Sequence, residues 1–157
     1  MSDENRALVE RFYDEVISGG NIDALDELMA PDFTEHGAPP GLPAGREGFK
    51  QFVSVLRSAF PDFRWSVDDW TVAGDKVVAR GGGRGTHRGD FLGAPPAGRP
   101  VEWTAIHIFR VQDGQLVERW SEADVGKFAG AAAVAVGSTG GRRSGDRPGA
   151  PARVNAV

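Results

Sequence analysis

The stretch VEWTAIHIFRVQDGQLVERWSEAD, residues 101–124, decides the fold class of this chain of 157 residues. Two runs rich in Val, Ile, Phe and Trp flank Asp113-Gly114, and such runs are typical of β-strands. Asp-Gly is a strong hairpin signal because both residues tolerate the positive φ of a tight turn. The stretch therefore predicts two long antiparallel strands, residues 101–111 and 115–124, joined by that turn.

The sequence before this hairpin predicts two further strands and three helices. The strands cover residues 63–72 and 76–86. Apolar residues recur at helical spacing in three earlier segments, which predicts helices within residues 8–17, 21–31 and 49–60. Helices followed by an antiparallel meander indicate an α+β fold, in which the helices pack on a curved sheet and enclose a cone-shaped pocket.

Composition excludes several classes of function. The chain has no cysteine, which excludes disulfides, thiolate metal sites and cysteine nucleophiles. Its three histidines lack a metal-ligand spacing, so we do not expect a metal site. The net charge is −4 and the body has no basic cluster for nucleic acid. No apolar run approaches the ~20 residues of a membrane span. We expect a cytoplasmic protein whose partner is a small hydrophobic molecule.

The chain divides into one domain and a tail. Residues 1–129 carry the periodic apolar pattern, whereas residues 130–157 consist mainly of Gly, Ala, Pro, Ser and Arg. The tail has no aromatic residue and cannot bury enough apolar surface to offset the entropy of ordering. We expect residues 130–157 to be disordered.

Asp124 is the first candidate for chemistry. It shares the period-two pattern of the last strand with Leu116 and Trp120, which predicts that all three point to one side. A carboxylate beside Trp120 on a cavity wall would be partly desolvated, and desolvation makes it a stronger base. In the alternative interpretation, Asp124 caps a helical turn over residues 124–128.

His107 is the second candidate. It alternates with the apolar side chains of Trp103, Ala105 and Phe109 along the preceding strand. An imidazole there could transfer protons or stabilise a developing oxyanion near neutral pH. The alternative is a histidine that is satisfied within the core.

Two further features allow two interpretations each. Tyr13, the only tyrosine, either turns its hydroxyl into the pocket or packs with the first helix. Gly81, Gly83 and Gly85 fall on one side of a strand, where they either widen the cavity or permit a sharp bend.

Five motifs in order carry a resemblance to a known family. They are ERFYDEV (residues 10–16), AFPDF (59–63), GTHRG (85–89), GAPPAGR (93–99) and FRVQDGQLVERW (109–120). Together they resemble the SnoaL-like polyketide cyclases, a branch of the NTF2-like superfamily, over residues 5–128.

The resemblance implies both a fold and an activity. The fold is an α+β cone with a curved antiparallel sheet, and we expect a homodimer or a higher oligomer to form through the sheet. The activity is a cofactor-free intramolecular aldol closure of a polyketide-like molecule in secondary metabolism. Asp124 corresponds to the base, His107 to the histidine on the adjacent strand, and Tyr13 to a tyrosine that shapes the pocket. We expect further substrate contacts from His36, Trp65, Arg80, His87, Trp103, Phe109 and Trp120.

Other functions are compatible with the same cavity. One group consists of other ring-forming, isomerising, dehydrating or epoxide-opening reactions. The other is a non-catalytic module for ligand binding or dimerisation, in which Asp124 is structural.

Overall fold

The computed structural model describes residues 2–124, and the predicted tail at residues 130–157 lies outside them. Its helices are α1 (Ser2–Arg11), α2 (Leu25–Leu28) and α3 (Arg46–Ala59). A π-helical turn (Phe12–Ile17) extends α1, and a 3-10 turn (Ile22–Ala24) precedes α2. The strands are β1 (Met29–Glu35), β2 (Arg64–Ala73), β3 (Lys76–Thr86), β4 (Pro100–Gln112) and β5 (Gln115–Ala123).

The five strands form one mixed sheet in the order β1-β5-β4-β3-β2. Strands β2 to β5 form the expected antiparallel meander. The sheet is mixed rather than wholly antiparallel, because β1 pairs with β5 in parallel. A helix and three strands separate β1 from β5 along the chain, so no hairpin turn imposes an antiparallel orientation.

The second predicted helix ends earlier than expected. Residues 21–31 become two short turns, and Met29 already begins β1. Met29 and Ala30 are buried, and Met29 pairs with Leu116 of β5. Pairing with the sheet therefore overrides the helical spacing at this point.

A π-helical turn ends the first helix. It is closed by the Ser18 N–H, which donates to the Tyr13 carbonyl at 2.8 Å. Val9, Phe12, Tyr13, Val16 and Ile17 are buried at the ordinary spacing of an amphipathic helix, so this stretch packs one face against the core.

One face of the sheet, called here the interior face, packs against the helices and carries His107. The opposite face, called the outer face, carries Ile106, Ile108 and Trp120. The apolar core lies between the interior face and the helices.

The glycines of β3 allow aromatic rings to approach the interior face. A Cβ at Gly83 would overlap the Phe63 ring and approach Trp65. At Gly81 it would overlap the backbone carbonyl of Ser66, beside an irregularity in the β2–β3 register. The bend interpretation fits Gly81, whereas the space at Gly83 is occupied by rings and does not enlarge the cavity.

A β-bulge in β5 determines which residues face the interior. Arg110 pairs with Glu118 but Val111 pairs with Leu116, so Val117 is an extra residue. From there on Arg119 and Ser121 are buried on the interior face. The expectation that Leu116 and Trp120 share one face is wrong, since the bulge reverses the alternation between them.

Candidate functional site

Tyr13 and His107 form a buried polar pair on the interior face. The Tyr13 hydroxyl and His107 Nδ1 lie 2.6 Å apart, and the two side chains are 3% and 0% exposed. The π-helical turn positions Tyr13, and the middle of β4 positions His107. The predicted pocket tyrosine and strand histidine therefore meet directly.

Trp65 packs against this pair. Its ring lies 4.8 Å from His107 and 5.6 Å from Tyr13, stacked on both. Burial raises the pKa of the Tyr13 hydroxyl, and the nearby positive charge of Arg119 opposes that rise only in part. Tyr13 thus remains protonated at neutral pH. When its O–H donates to Nδ1 of a neutral His107, the ring proton resides on Nε2.

Arg119 and Glu35 form a second buried polar group on the same side of the sheet. Arg119 Nη1 donates to Glu35 Oε2 at 2.8 Å, and the side chains are 2% and 6% exposed. The parallel register of β1 and β5 places the two residues opposite each other. The second carboxylate oxygen of Glu35 accepts the Gly37 N–H at 3.1 Å. The guanidinium lies 5.4 Å from the Phe49 ring and 5.7 Å from Phe109, which contacts His107.

Several polar atoms on the interior face make no hydrogen bond within residues 2–124. They are Trp65 Nε1, Ser121 Oγ, and Nε and Nη2 of Arg119. Ser121 pairs with His107 across β4 and β5, and the Trp65 ring stacks on His107. Burying such groups without partners costs free energy, which a water molecule or an oxygen-bearing ligand would reduce.

A small cavity of about 10 Å³ adjoins the Arg119–Glu35 pair, which is room for about one water molecule. Phe49 and Phe52 of α3 form one wall. The loop between β1 and α3 forms the other, through Ala38, Pro39, Leu42 and Pro43. The cavity is therefore mostly apolar, with one ion pair on its wall.

Four other predicted substrate contacts lie in the interior. Trp65, Trp103 and Phe109 belong to the core, and Trp103 stacks on Phe63 at 5.1 Å. His87 is buried beyond the end of β3, where it stacks on Phe60 at 5.0 Å. Phe60 also contacts Trp103, so His87 and Trp103 lie in one aromatic cluster.

Three predicted contacts lie on the outer side instead. Trp120 stacks with His36 at 4.7 Å, and His36 Nε2 lies 2.6 Å from Glu118 Oε2. Arg80 is exposed and forms an ion pair with Asp69. Trp120 therefore does not line the interior pocket as expected, because the bulge at Val117 turns it outward.

Asp124 follows β5 directly, and its side chain is exposed. Its N–H donates to the Thr104 carbonyl at 2.7 Å, which extends the pairing with β4 by one residue. The expectation that Trp120 desolvates this carboxylate against the cavity wall is not met. The helical turn over residues 124–128 lies outside the described residues except for Asp124.

The sequence reasoning missed Glu35, Arg119 and Ser121. Arg119 and Ser121 appeared to face solvent, because strict alternation from Leu116 places them on the outer side. A signal was nevertheless present, since Val117 is apolar and shares its alternation with Arg119 and Ser121. The choice between the two alternations depends on the bulge. Within residues 2–124, no group of three His, Asp or Glu side chains could hold a metal ion. The described helices include none long and apolar enough to cross a membrane.

A model of the family described as SnoaL-like polyketide cyclase matches residues 7–129. TsrD from Streptomyces laurentii is 29% identical, with a TM-score of 0.75 over 82% of this chain and 94% of that one. IdmH from Streptomyces antibioticus, provisionally titled a polyketide cyclase, is 35% identical, with a TM-score of 0.70 over 80% and 96% of the two chains. AclR from Streptomyces galilaeus, provisionally titled a hydroxylase, is 22% identical. It has a TM-score of 0.73 over 88% and 98%, a likeness of fold alone. No curated protein matches the chain.

Proposed function

Because this chain belongs to the SnoaL-like polyketide cyclase family, whose NTF2-like α+β fold it has, we propose that it closes a ring in a polyketide-like small molecule. The reaction is an intramolecular aldol addition by general acid–base catalysis from side chains alone. The observation that carries the proposal is the buried hydrogen bond between Tyr13 and His107 on the interior face.

The proposed reaction conserves every atom of the substrate. A base removes a proton from a carbon next to a carbonyl group, and the enolate carbon bonds to a second carbonyl carbon of the same molecule. The resulting alkoxide takes a proton, so the product is an isomer of the substrate. General acid–base catalysis of this kind accelerates the chemical step by about 10²–10⁴-fold.

His107 is proposed to hydrogen-bond the electrophilic carbonyl group and then protonate the alkoxide. The hydrogen bond between the Tyr13 hydroxyl and Nδ1 supports this role: with Tyr13 as the donor, the ring proton of a neutral His107 resides on Nε2. The stacked Trp65 ring restricts the imidazole to one orientation.

Asp124 is the proposed base, as the family resemblance implies. Its exposure means that the surrounding protein does not by itself remove water from the carboxylate. We propose that the bound substrate covers this end of β5 and supplies the desolvation that raises its basicity. At the end of the turnover Asp124 releases its proton to solvent and His107 regains one, so the cycle consumes no proton.

The test is an assay of ring closure with the full chain. The purified protein is incubated with a linear poly-β-ketone ester, and the products are separated by chromatography and identified by mass and NMR. We expect a cyclic isomer of unchanged mass, or the same product minus water, at a rate above that of buffer.

Two variants locate the chemistry. His107→Gln and Asp124→Asn are each expected to lower kcat by at least 100-fold. The control is Glu122→Gln, an exposed acid on the same strand, which is expected to retain the rate. Full turnover by Asp124→Asn would remove Asp124 from the mechanism, and full turnover by both variants would refute acid–base ring closure.

A further inference from the structure

Two N–H donors of Arg119 are buried without an acceptor in the described part of the chain. Nη1 donates to Glu35 Oε2 at 2.8 Å, whereas Nε and Nη2 make no hydrogen bond within residues 2–124. The Arg119 side chain is 2% exposed, so bulk solvent does not reach these two donors. Burial of a donor without an acceptor costs free energy, and the cost is larger for a charged group. An acceptor placed at these donors would therefore stabilise the protein.

The described neighbours of the guanidinium do not supply that acceptor. The rings of Phe49 and Phe109 lie 5.4 and 5.7 Å from it and offer no lone pair. The Glu35 carboxylate accepts from Nη1 and from the Gly37 N–H instead. An acceptor in the adjoining cavity would meet the need of Nε and Nη2.

The size of this cavity determines which acceptor fits. It measures about 10 Å³, and both Arg119 and Glu35 line it. Such a volume holds about one water molecule and is too small for an organic substrate. A buried water needs about two to four polar partners. Arg119 offers two donors, and each carboxylate oxygen of Glu35 keeps a second lone pair for a water hydrogen.

We propose that this cavity is a binding site for a single water molecule, whose oxygen accepts the Nε–H and Nη2–H of Arg119 and whose hydrogens reach the Glu35 carboxylate. The two donors lie on one edge of the planar guanidinium and point in nearly the same direction, so one oxygen meets both. The water completes the hydrogen bonding of an ion pair that apolar groups otherwise enclose. This site is independent of the proposed function, because its lining includes neither Tyr13 nor His107.

The bound water lies between β5 and the loop that joins β1 to α3. Two hydrogen bonds tie this loop down: the Gly37 N–H donates to Glu35 Oε1 at 3.1 Å, and the Glu35 N–H donates to the Ala44 carbonyl at 2.7 Å. Leu42, near the middle of the loop, forms part of the cavity wall. We expect the water to leave only when this loop moves, and so to exchange far more slowly than water at the surface.

The first test is NMR of the unaltered full chain with labelled arginine. The Nε–H of Arg119 is expected to show a direct cross-relaxation peak with water, which a rotating-frame experiment separates by sign from chemical exchange. The control is Arg110, whose Nε–H donates to Glu118 at 2.6 Å on the outer face and is expected to show no such peak. An assigned Arg119 signal without this peak would overturn the proposal.

Variants test whether the ion pair holds the water. The double variant Glu35→Leu/Arg119→Met removes every polar partner named above, and oxygen-17 relaxation dispersion is expected to count one long-lived water fewer than in the unaltered protein. The matched control is Arg110→Met/Glu118→Leu, which removes the ion pair of the outer face and is expected to keep that water. Equal counts in the unaltered protein and in Glu35→Leu/Arg119→Met would refute the site.

Xenon distinguishes a hydrated cavity from a dry one. A dry apolar cavity binds xenon, whereas a polar site for one water does not. A crystal of the full chain is measured before and after pressurisation with xenon gas. We expect a water oxygen at about 2.7–3.2 Å from both Nε and Nη2 of Arg119 in both data sets. Xenon at this position, or no water there in either data set, would overturn the proposal.

Discussion

At the scale of single residues, the hydrogen bond between Tyr13 and His107 links the first helix to the middle of the sheet. In Tyr13→Phe the ring still packs but the imidazole loses its partner at Nδ1. We expect kcat to fall about 10-fold with little change in KM, because no hydrogen bond from residue 13 then fixes which ring nitrogen of His107 carries the proton. The loss of one buried hydrogen bond also costs about 1 kcal/mol of stability.

The measurement for Tyr13→Phe is steady-state kinetics together with thermal unfolding. Phe12→Leu is the matched control, since Phe12 is an adjacent buried ring without a polar atom. That control is expected to lose stability while its kcat stays near that of the unaltered protein. Equal losses of kcat in both variants would indicate packing rather than the hydrogen bond.

The Arg119–Glu35 pair gives a second prediction at this scale. Arg119→Met leaves the Glu35 carboxylate buried without its partner, so we expect a loss of about 3–5 kcal/mol in the free energy of unfolding. The double variant Glu35→Leu/Arg119→Met removes both charges and is expected to recover most of that loss. Urea unfolding of the three proteins provides the values. A double variant no more stable than Arg119→Met would contradict the expectation.

Glu118 provides a pH-dependent prediction. Hydrogen bonds from His36 and Arg110 lower the pKa of this carboxyl group from 4.5. A pKa that is lower in the folded state stabilises the protein at pH values above the pKa of the unfolded state. This stabilisation is lost as the pH falls through the pKa of the folded state. The stability difference between the unaltered protein and Glu118→Gln is thus expected to shrink as the pH falls below about 4.5. Urea midpoints from pH 7 to pH 3 measure it, and a constant difference would contradict the coupling.

At the scale of the elements, β3 requires glycine at these positions because neighbouring atoms leave no room for a Cβ. A positive φ is not the reason. Gly81→Ala would overlap the backbone of β2, which cannot rotate away, whereas Gly83→Ala meets the edge of the Phe63 ring. We expect both to destabilise, Gly83→Ala by about 1–3 kcal/mol and Gly81→Ala by more. The exposed Arg84→Ala in the same strand is the control, expected within about 0.5 kcal/mol. Chemical unfolding ranks the three, and the reverse order for the two glycines would contradict the packing argument.

The element scale also shows what could be read from the sequence and what could not. Strands β2 to β5 were predictable to within one residue because alternation, β-branched residues and the Asp113-Gly114 turn agreed. The parallel pairing of β1 was not, since its partner is more than 80 residues away in sequence. The bulge at Val117 was missed because β5 allows two alternations. One places Leu116 inward and the other places Val117 inward, and both residues are apolar.

The site divides in the same way. Tyr13 and His107 were predicted from the family resemblance and from a single polar residue on an apolar strand face. The Arg119–Glu35 pair was hidden, because charged residues on strands normally face solvent and only the register brings these two together. Trp120 was placed in the interior for the same reason, a count that was wrong by one residue.

At the scale of the whole molecule, the outer face is proposed to form a homodimer, as the family resemblance implies. Ile106 is 47% exposed near the centre of this face. Ile106→Glu is expected to convert a dimer into a monomer, measured by light scattering on a sizing column at fixed concentration. Leu92→Glu is the control, because Leu92 is the other large apolar residue exposed within the described chain, at 37%, and lies in a loop. An unaltered protein that is already monomeric would refute the proposal.

The extra residue at Val117 makes the lining of the interior depend on chain length rather than on side-chain identity. Deletion of Val117 would move every later residue of β5 to the opposite face of the sheet. The indole of Trp120 would then face the interior and the guanidinium of Arg119 would face water. Two proteins of almost identical composition would then offer opposite surfaces to a guest molecule. We therefore expect indels at this point, more than point mutations, to separate relatives that accept different guests.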